Sequence, residues 1–264
     1  MRFSYEQYHA FSAPLEGRVS TMYADCLGLI TTGVGNLINE VHQAVALPWL
    51  LWTGENADVS DVRADWFKLA DAREYYSKRA WHVYAKQMRC HLAEATIDAL
   101  CQRQLSQNEA HYRELWPAFD DFPADAQLGI HSMGWAVGAG FAAKFPNLAR
   151  CIAHQDWEGA AASCKIRDGL DTPSKADDNP GVVPRNARNK VCFHNAALVS
   201  AAALDPSRLY WPEIAPSFVN ASARAEAEAA RVDAEIRLAA YQALETSPPL
   251  PGSGRAMLEY EATP

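Results

Sequence analysis

Apolar residues recur every three or four positions along most of the chain, which is the periodicity of helices that bury one face. The pattern is clearest from Val59 to Leu105 and returns in Leu105 to Trp116 and in Arg185 to Leu204. The segment Gln127 to Phe141 is apolar and rich in small residues, so it predicts a buried central helix. A final helix, rich in Ala, Glu and Arg, is predicted over Phe218 to Ala243.

The pattern differs near the N-terminus. A helix is predicted to end near Glu16, and Tyr23 to Gly35 is rich in β-branched residues and interrupted by glycines. These features predict a small antiparallel hairpin or meander. From about Asn36 the periodicity predicts helix again. The predicted fold class is therefore α+β, mainly α, with a small N-terminal sheet and a larger helical lobe.

Two segments are predicted to lack regular structure. Gly169 to Pro184 contains many Asp, Asn, Pro and Gly residues, which favour turns, and we expect it to be the main loop. Thr246 to Gly254 is rich in Pro, Ser and Gly and predicts a flexible tail.

Composition limits the classes of function. The 264 residues are 49% hydrophobic and carry a net charge of -8 without an evident basic patch, so we expect no nucleic-acid partner. Residues Met1 to Gln7 lack the apolar core of a signal peptide, and the apolar stretch Ala44 to Trp52 is too short to span a membrane. We expect synthesis in the cytoplasm without a signal peptide, and no membrane span.

The cysteines leave two interpretations open. None of them forms a CxxC pair or a Cys/His metal spacing, so we expect no metal and no cofactor. They are either small buried residues of a reduced chain or partners in disulfides formed in an oxidising compartment. The six are Cys26, Cys90, Cys101, Cys151, Cys164 and Cys192.

Two carboxyl groups near the N-terminus suit glycoside hydrolysis. That reaction needs one acid to protonate the leaving oxygen and a second carboxylate on the opposite side to direct water or attack the sugar. Glu16 follows an apolar triplet at a predicted helix end, and Asp25 lies in the predicted hairpin. Thr31 follows on the return strand, where its hydroxyl would position a water. The three residues predict an inverting arrangement.

The surrounding residues resemble the catalytic signature of phage-type lysozymes. The pattern is Glu16-Gly17, Tyr23-x-Asp25, Gly28 and Thr31-x-Gly33-x-Gly35, with Glu, Asp and Thr at the same relative spacing as in that family. The resemblance implies a lysozyme-like fold and a muramidase that hydrolyses the β-1,4 bond between N-acetylmuramic acid and N-acetylglucosamine of peptidoglycan. It also implies a role for each of the three residues: Glu16 as general acid, Asp25 as the carboxylate that orients water, and Thr31 as its helper.

Later segments extend the resemblance to roughly residues 11–45 and 94–205. Ser132 to Phe141 resembles the buried helix of the family, Trp157 to Ala161 its Trp/Tyr-x-x-Ala-Ala helix, and Asn179 to Asn186 the loop that enters an Arg-bearing helix. The resemblance implies four substrate-binding residues, which are Tyr23, Gly35, Trp135 and Arg185.

The chain also departs from the family pattern. Asn36 replaces a frequent His, and Ala136 replaces a frequent Asn or Gln. Residues of about 43–93 have no counterpart. We therefore expect a lysozyme-like catalytic domain over 1–211 with a helical insertion at about 43–93, followed by a C-terminal helix and flexible tail over 212–264.

The tryptophans of the insertion have two open interpretations. At helical spacing they are typical of a core, but they would also suit sugar stacking in an extended glycan cleft. They are Trp49, Trp52, Trp66 and Trp81.

Two other functions stay open as alternatives. One is a catalytically inactive, lysozyme-like protein that binds the wall, and the other is a lytic transglycosylase, which cuts the same bond with one Glu. The presence of both Asp25 and Thr31 favours hydrolysis. We expect action in the periplasm of a target or host bacterium. The protein is then either an interbacterial effector, with a delivery apparatus and a periplasmic inhibitor (immunity) protein, or a phage endolysin released through a holin.

Overall fold

A computed structural model describes residues 1–25, 27–167 and 182–215, with scattered residues between 225 and 239. Most of the predicted main loop, most of the helix predicted over Phe218 to Ala243 and the whole tail lie outside these residues. So does Cys26.

The described chain is mainly helical, with two small antiparallel sheets. The helices are α1 (Tyr5–Glu16), α2 (Val41–Val45), α3 (Val59–Asp71), α4 (Arg73–Ser77), α5 (Glu94–Leu115), α6 (Ala124–Val137), α7 (Phe141–Lys144), α8 (Pro146–Ala153), α9 (Trp157–Ser163) and α10 (Val183–Ala201). The strands are β1 (Val19–Ala24), β2 (Ile30–Gly33), β3 (Asn36–Leu37), β4 (Leu50–Leu51) and β5 (Cys90–His91). Short 3-10 turns span Trp81–Val83, Ala85–Gln87 and Phe119–Asp121. The predicted fold class, α+β and mainly α with a small N-terminal sheet, is confirmed.

The first sheet is a three-stranded meander in the order β1-β2-β3. Tyr23 pairs with Thr31 and Val19 with Gly33, with an irregular register between the two pairs. The predicted antiparallel meander is thus confirmed. The prediction of helix from Asn36 is wrong, because Asn36 pairs with Thr32 and continues the ladder as β3.

The segment 43–93 contains a second sheet that its periodicity did not predict. Leu50 of β4 pairs with His91 of β5, across forty residues of intervening chain. The continuous helical pattern expected from Val59 to Leu105 is therefore wrong between Ser77 and Glu94, where the chain forms two 3-10 turns and strand β5. Strand pairing over such a separation leaves no local periodic signal, and it overrides the local preference of a two-residue segment.

The first sheet and the segment 43–93 share one buried core and together form the small lobe. The larger members of that core include Trp49, Trp66, Tyr76 and Tyr84. Two of the four tryptophans of this segment are core residues, whereas Trp52 is 59% exposed and Trp81 is 37% exposed.

The helical lobe is built around α6. Every residue of α6 from Ala124 to Gly134 is buried, so the predicted buried central helix is confirmed, although it begins and ends earlier than expected. It ends before Gly138, whose φ of 93° favours glycine and breaks the helical path. Helix α5 has 22 residues, or a length of about 33 Å. It runs from the core of the small lobe, at Ile97, to that of the helical lobe, at Tyr112.

A strap over 204–215 closes the described body. The Asp125 carboxylate of α6 accepts hydrogen bonds from the backbone N–H groups of Tyr210 and Trp211, each at 2.9 Å. Asn195 binds the strap further on, and Ala215 is buried. The packed body therefore continues past residue 211, the boundary expected from the sequence.

None of the helices in the described parts of the chain is long and apolar enough to cross a membrane.

Candidate active site

Helix α1 places Glu16 at the junction of the two lobes. The helix begins at a capping box, in which the Ser4 hydroxyl accepts from the Gln7 N–H at 3.2 Å and the Gln7 side chain accepts from the Ser4 N–H at 2.8 Å. Tyr8 and Phe11 bury the inner face. The helix ends at Glu16, as predicted, because Gly17 has a φ of 67° and turns the chain into β1.

The Glu16 carboxylate contacts the Arg185 guanidinium of α10. The Arg185 side chain is 4% exposed and the Glu16 side chain 18%, so the contact lies at the edge of the interior. Arg185 also donates to the Ser132 carbonyl at 3.2 Å and to the Ser132 hydroxyl at 3.1 Å. These bonds fix the guanidinium on α6, and the guanidinium in turn orients the carboxylate.

Burial changes the electrostatics of Arg185. Removal from water lowers the Arg185 pKa to about 10, which still leaves the guanidinium charged at neutral pH. A buried positive charge therefore lies directly beside Glu16. The side chain of Tyr8 is fully buried nearby, and burial raises its pKa well above the usual value, so its phenol stays neutral.

Trp135 and Gly35 meet where the two lobes join. Gly35 lies in the β2–β3 turn with a φ of 76°, and a Cβ there would be 3.5 Å from the Trp135 Nε1 atom. Trp135 follows Ser132 by about one turn of α6. It packs against the core of the small lobe and against the cluster around α1, with its ring 5.5 Å from that of Tyr8. Trp135 is therefore a contact between the lobes.

Asp25 organises the turn between β1 and β2. Its Oδ1 atom accepts hydrogen bonds from the N–H groups of Leu27 and Leu29, each at 2.8 Å. Its own N–H donates to the Leu29 carbonyl, and the Gly28 N–H donates to the Asp25 carbonyl, each at 2.9 Å. The carboxylate is thus held in one orientation by its own loop, and within the described residues its Oδ2 atom makes no hydrogen bond.

Thr31 lies opposite Tyr23 on the adjacent strand. Thr31 is 4% exposed, and its hydroxyl donates to the Leu29 carbonyl at 3.2 Å. Its oxygen can still accept a hydrogen bond. Tyr23 is half-buried and packs at the edge of the small-lobe core.

The structure joins six of the seven predicted site residues in three separate pairs. Glu16 touches Arg185, Gly35 faces Trp135, and Tyr23 pairs with Thr31. The hydrogen bonds of Asp25 stay within its turn.

Two residues that the sequence did not single out belong to this region. Ser132 holds Arg185, and Tyr8 lies behind it. The position of Ser132, three residues before Trp135 and hence on the same helical face, was a usable signal.

The structure shows the surroundings of the two residues that depart from the lysozyme pattern, Asn36 and Ala136. The Asn36 side-chain carbonyl oxygen is buried without a hydrogen-bond partner among the described residues. Ala136 packs against the core of the helical lobe, which is a structural role.

Trp52 of the segment 43–93 presents a fixed aromatic face to solvent. Its ring stacks on His91 with ring centroids 4.4 Å apart, and its Nε1–H donates to the Met88 carbonyl at 2.8 Å.

Within the described ranges no group of three or more His, Cys, Asp or Glu side chains is arranged to hold a metal ion.

No model of a protein family matches the chain, and no curated protein sequence matches it significantly. The functional proposal therefore depends on the residues and geometry of this chain.

Proposed function

We propose that the protein is a muramidase that hydrolyses the β-1,4 bond between N-acetylmuramic acid and N-acetylglucosamine in peptidoglycan. The observation that supports it most is the contact of Glu16 with the buried Arg185, next to Ser132. These residues come from three distant parts of the chain, and the same three parts carry the lysozyme-like sequence pattern. Such convergence is what a catalytic cleft between a small sheet and a helical lobe requires.

In the proposed reaction, Glu16 gives its proton to the glycosidic oxygen as the bond to the sugar carbon breaks. A water attacks that carbon from the opposite face, and Asp25 accepts the proton that the water loses. The N–H groups of Leu27 and Leu29 hold Asp25 Oδ1 and leave Oδ2 for the water. The Thr31 oxygen would accept a hydrogen bond from the same water.

The charge of Arg185 opposes protonation of Glu16 in the free protein, because a nearby guanidinium favours a carboxylate. A general acid must carry its proton when the bond breaks. Glycan bound over the exposed edge of Glu16 would exclude water there, and desolvation favours the protonated form. The buried pair would thus keep Glu16 oriented before binding, and substrate would complete the conditions for proton transfer.

The test is digestion of purified peptidoglycan by the wild-type protein and by Glu16→Gln, with products weighed by mass spectrometry. We expect hydrated, reducing muropeptides from the wild type alone. Glu114→Gln, an exposed acid of α5, is the matched control and should digest like the wild type. Circular dichroism checks that each variant is folded.

Other product patterns would support the alternatives. Products lighter by one water, with an anhydro sugar end, would indicate a lytic transglycosylase. Folded wild-type protein that sediments with peptidoglycan but releases no sugar would indicate a wall-binding protein. Equal digestion by Glu16→Gln would contradict the role given to Glu16.

We further propose that the protein acts in a bacterial periplasm, as an effector with an inhibitor protein and a carrier or as an endolysin with a holin. Expression with an added periplasmic signal should then lyse the host cells, whereas cytoplasmic expression should not. Equal toxicity from both compartments would contradict a wall target.

A further inference from the structure

The segment 43–93, which has no counterpart in the lysozyme pattern, binds the Asp25 turn on its N-terminal side through Tyr84. The Tyr84 hydroxyl accepts a hydrogen bond from the Ala24 N–H at 3.0 Å and lies 3.4 Å from the Ala24 carbonyl oxygen, to which it donates. Ala24 immediately precedes Asp25. The hydroxyl therefore holds the backbone at the residue from which the Asp25 carboxylate is positioned.

The same segment binds the turn on its other side through Arg73. The Arg73 guanidinium donates to the Gly28 carbonyl at 3.4 Å and to the Asn39 side-chain oxygen at 2.7 Å. That Asn39 oxygen also accepts from the Ile30 N–H at 3.3 Å, at the start of β2. A Cβ on Gly28 would lie 3.4 Å from the Arg73 Cβ, so the loop packs directly on α4.

Neighbouring aromatic rings hold both Tyr84 and Arg73 in place. Tyr84 is 1% exposed, and its ring packs at 4.7 Å against that of Tyr76. Burial raises the Tyr84 pKa, so the hydroxyl keeps the proton that it donates. The Arg73 guanidinium lies 5.9 Å from the ring of Trp66, which in turn donates to the Ile38 carbonyl at 2.8 Å.

The hairpin needs such support because its own ladder is irregular. The register of β1 against β2 shifts between Val19 and Tyr23. Both hydrogen bonds described for the Asp25 carboxylate come from the short loop itself. A loop of this kind opens locally unless other elements hold it.

We propose that Arg73 and Tyr84 are positioning residues, through which the inserted segment fixes Asp25 for water activation. This inference rests on the proposed muramidase function. In the reaction the two residues touch no substrate. They act by keeping the Asp25 carboxylate at one place, and misplacement of a catalytic group by about 1 Å costs on the order of 100-fold in rate.

The experiment compares Arg73→Gln and Tyr84→Phe with two matched controls of the same segment. Tyr76→Phe makes the same change on the neighbouring buried ring. Arg79→Gln makes the same change on an exposed arginine whose guanidinium contacts Tyr75. Three quantities are measured below the melting temperature of every variant. The first two are kcat and KM on soluble, uncross-linked glycan strands. The third is the rate of hydrogen exchange of the Leu27 and Leu29 amides relative to that of the α10 amides.

We expect kcat to fall on the order of 10-fold to 100-fold in Arg73→Gln and Tyr84→Phe, with KM within about twofold of wild type. Exchange at Leu27 and Leu29, relative to exchange in α10, should become faster than in the wild type. The controls should change none of the three quantities. A purely structural role would lower the melting temperature but leave kcat unchanged.

Unchanged kcat in an active protein, or a rise in KM alone, overturns this inference and leaves the muramidase function standing. Exchange at Leu27 and Leu29 as slow as in wild type also overturns it, because the turn is then held by other contacts. Wild-type protein that releases no sugar overturns the proposed function, and with it this inference.

Discussion

The Glu16 carboxylate contacts the Arg185 guanidinium, although 169 positions separate the two residues along the chain. Glu16 ends α1 and Arg185 lies in the first turn of α10, and Ser132 of α6 holds the guanidinium in place. The contact therefore depends on the packing of three helices. Replacement of either residue should affect both the stability of the lobe junction and the chemistry proposed there.

Arg185→Met should nearly abolish peptidoglycan hydrolysis, because the guanidinium that orients the Glu16 carboxylate is lost. The substitution should also destabilise the fold, since it leaves the Glu16 charge without its partner. Loss of one member of a buried ion pair costs about 3–5 kcal/mol of unfolding free energy. In the residual activity, the basic limb of the pH–rate profile should move to higher pH, because Glu16 without the guanidinium keeps its proton more readily. Denaturant unfolding and pH–rate profiles measure the two effects. Arg150→Gln, an exposed arginine of α8, is the control, and an unmoved profile in Arg185→Met would contradict the coupling.

Gly134→Ala should destabilise the helical lobe. The buried Tyr112 hydroxyl lies directly against Gly134, and a Cβ there would overlap with it. Overpacking of this kind costs about 1–3 kcal/mol. At Gly140 no atom of the described residues, other than the two adjoining ones, lies within 4 Å of a new Cβ, so Gly140→Ala should change the unfolding free energy little.

A double variant tests whether overlap with the Tyr112 hydroxyl causes the loss of stability in Gly134→Ala. The Tyr112 hydroxyl has no hydrogen-bond partner among the described residues, so Tyr112→Phe should restore part of the stability lost in Gly134→Ala. Additive effects of the two substitutions would contradict the steric explanation.

Asp125 should make stability depend on pH. Burial raises the pKa of Asp125 from 3.8 to about 6, even though three hydrogen bonds from Asn195, Tyr210 and Trp211 favour its ionised form. The folded protein therefore holds this proton more tightly than the unfolded chain does. The resulting contribution to stability is complete below a pH of about 3.8 and is lost as the pH rises through about 6.

The size of this contribution is about 3 kcal/mol. Denaturant unfolding of the wild type and of Asp125→Asn between these pH values should show it as a difference that grows as the pH falls. Asp121→Asn, an exposed acid, should keep the pH dependence of the wild type. If the unfolding free energies of the wild type and of Asp125→Asn changed with pH in parallel, protonation of Asp125 would not contribute to stability.

The thiols of the described residues should be unreactive in the folded protein. These five cysteines are free and buried, which favours the reduced interpretation over disulfides for them. Burial raises the pKa of Cys90 and Cys164 to about 12 and that of Cys101 to about 11, and the thiolate is the reactive form. In a Cys26→Ser variant, a thiol reagent at pH 8 should therefore label almost nothing until denaturant exposes five thiols. Rapid labelling of the native variant would contradict this burial.

Several features of the protein are determined by its sequence. The capping residues and Gly17 fix the ends of α1 and so the place of Glu16, because N-caps and positive φ angles are local properties. The glycines and β-branched residues from Tyr23 to Gly35 fix the meander, and the apolar run of α6 fixes a buried helix. In each case a short segment carries the whole physical reason.

Other features were decided only by the tertiary structure. Strand β3, the pairing of β4 with β5, the contact of Glu16 with Arg185 and the bond of Tyr84 to Ala24 each join residues whose separation is set by the fold. Periodicity reports which face of an element is apolar, but not which other element covers it. The candidate catalytic residues could thus be named from the sequence, whereas the contacts that hold Glu16 and the Asp25 turn are known only from how the lobes pack.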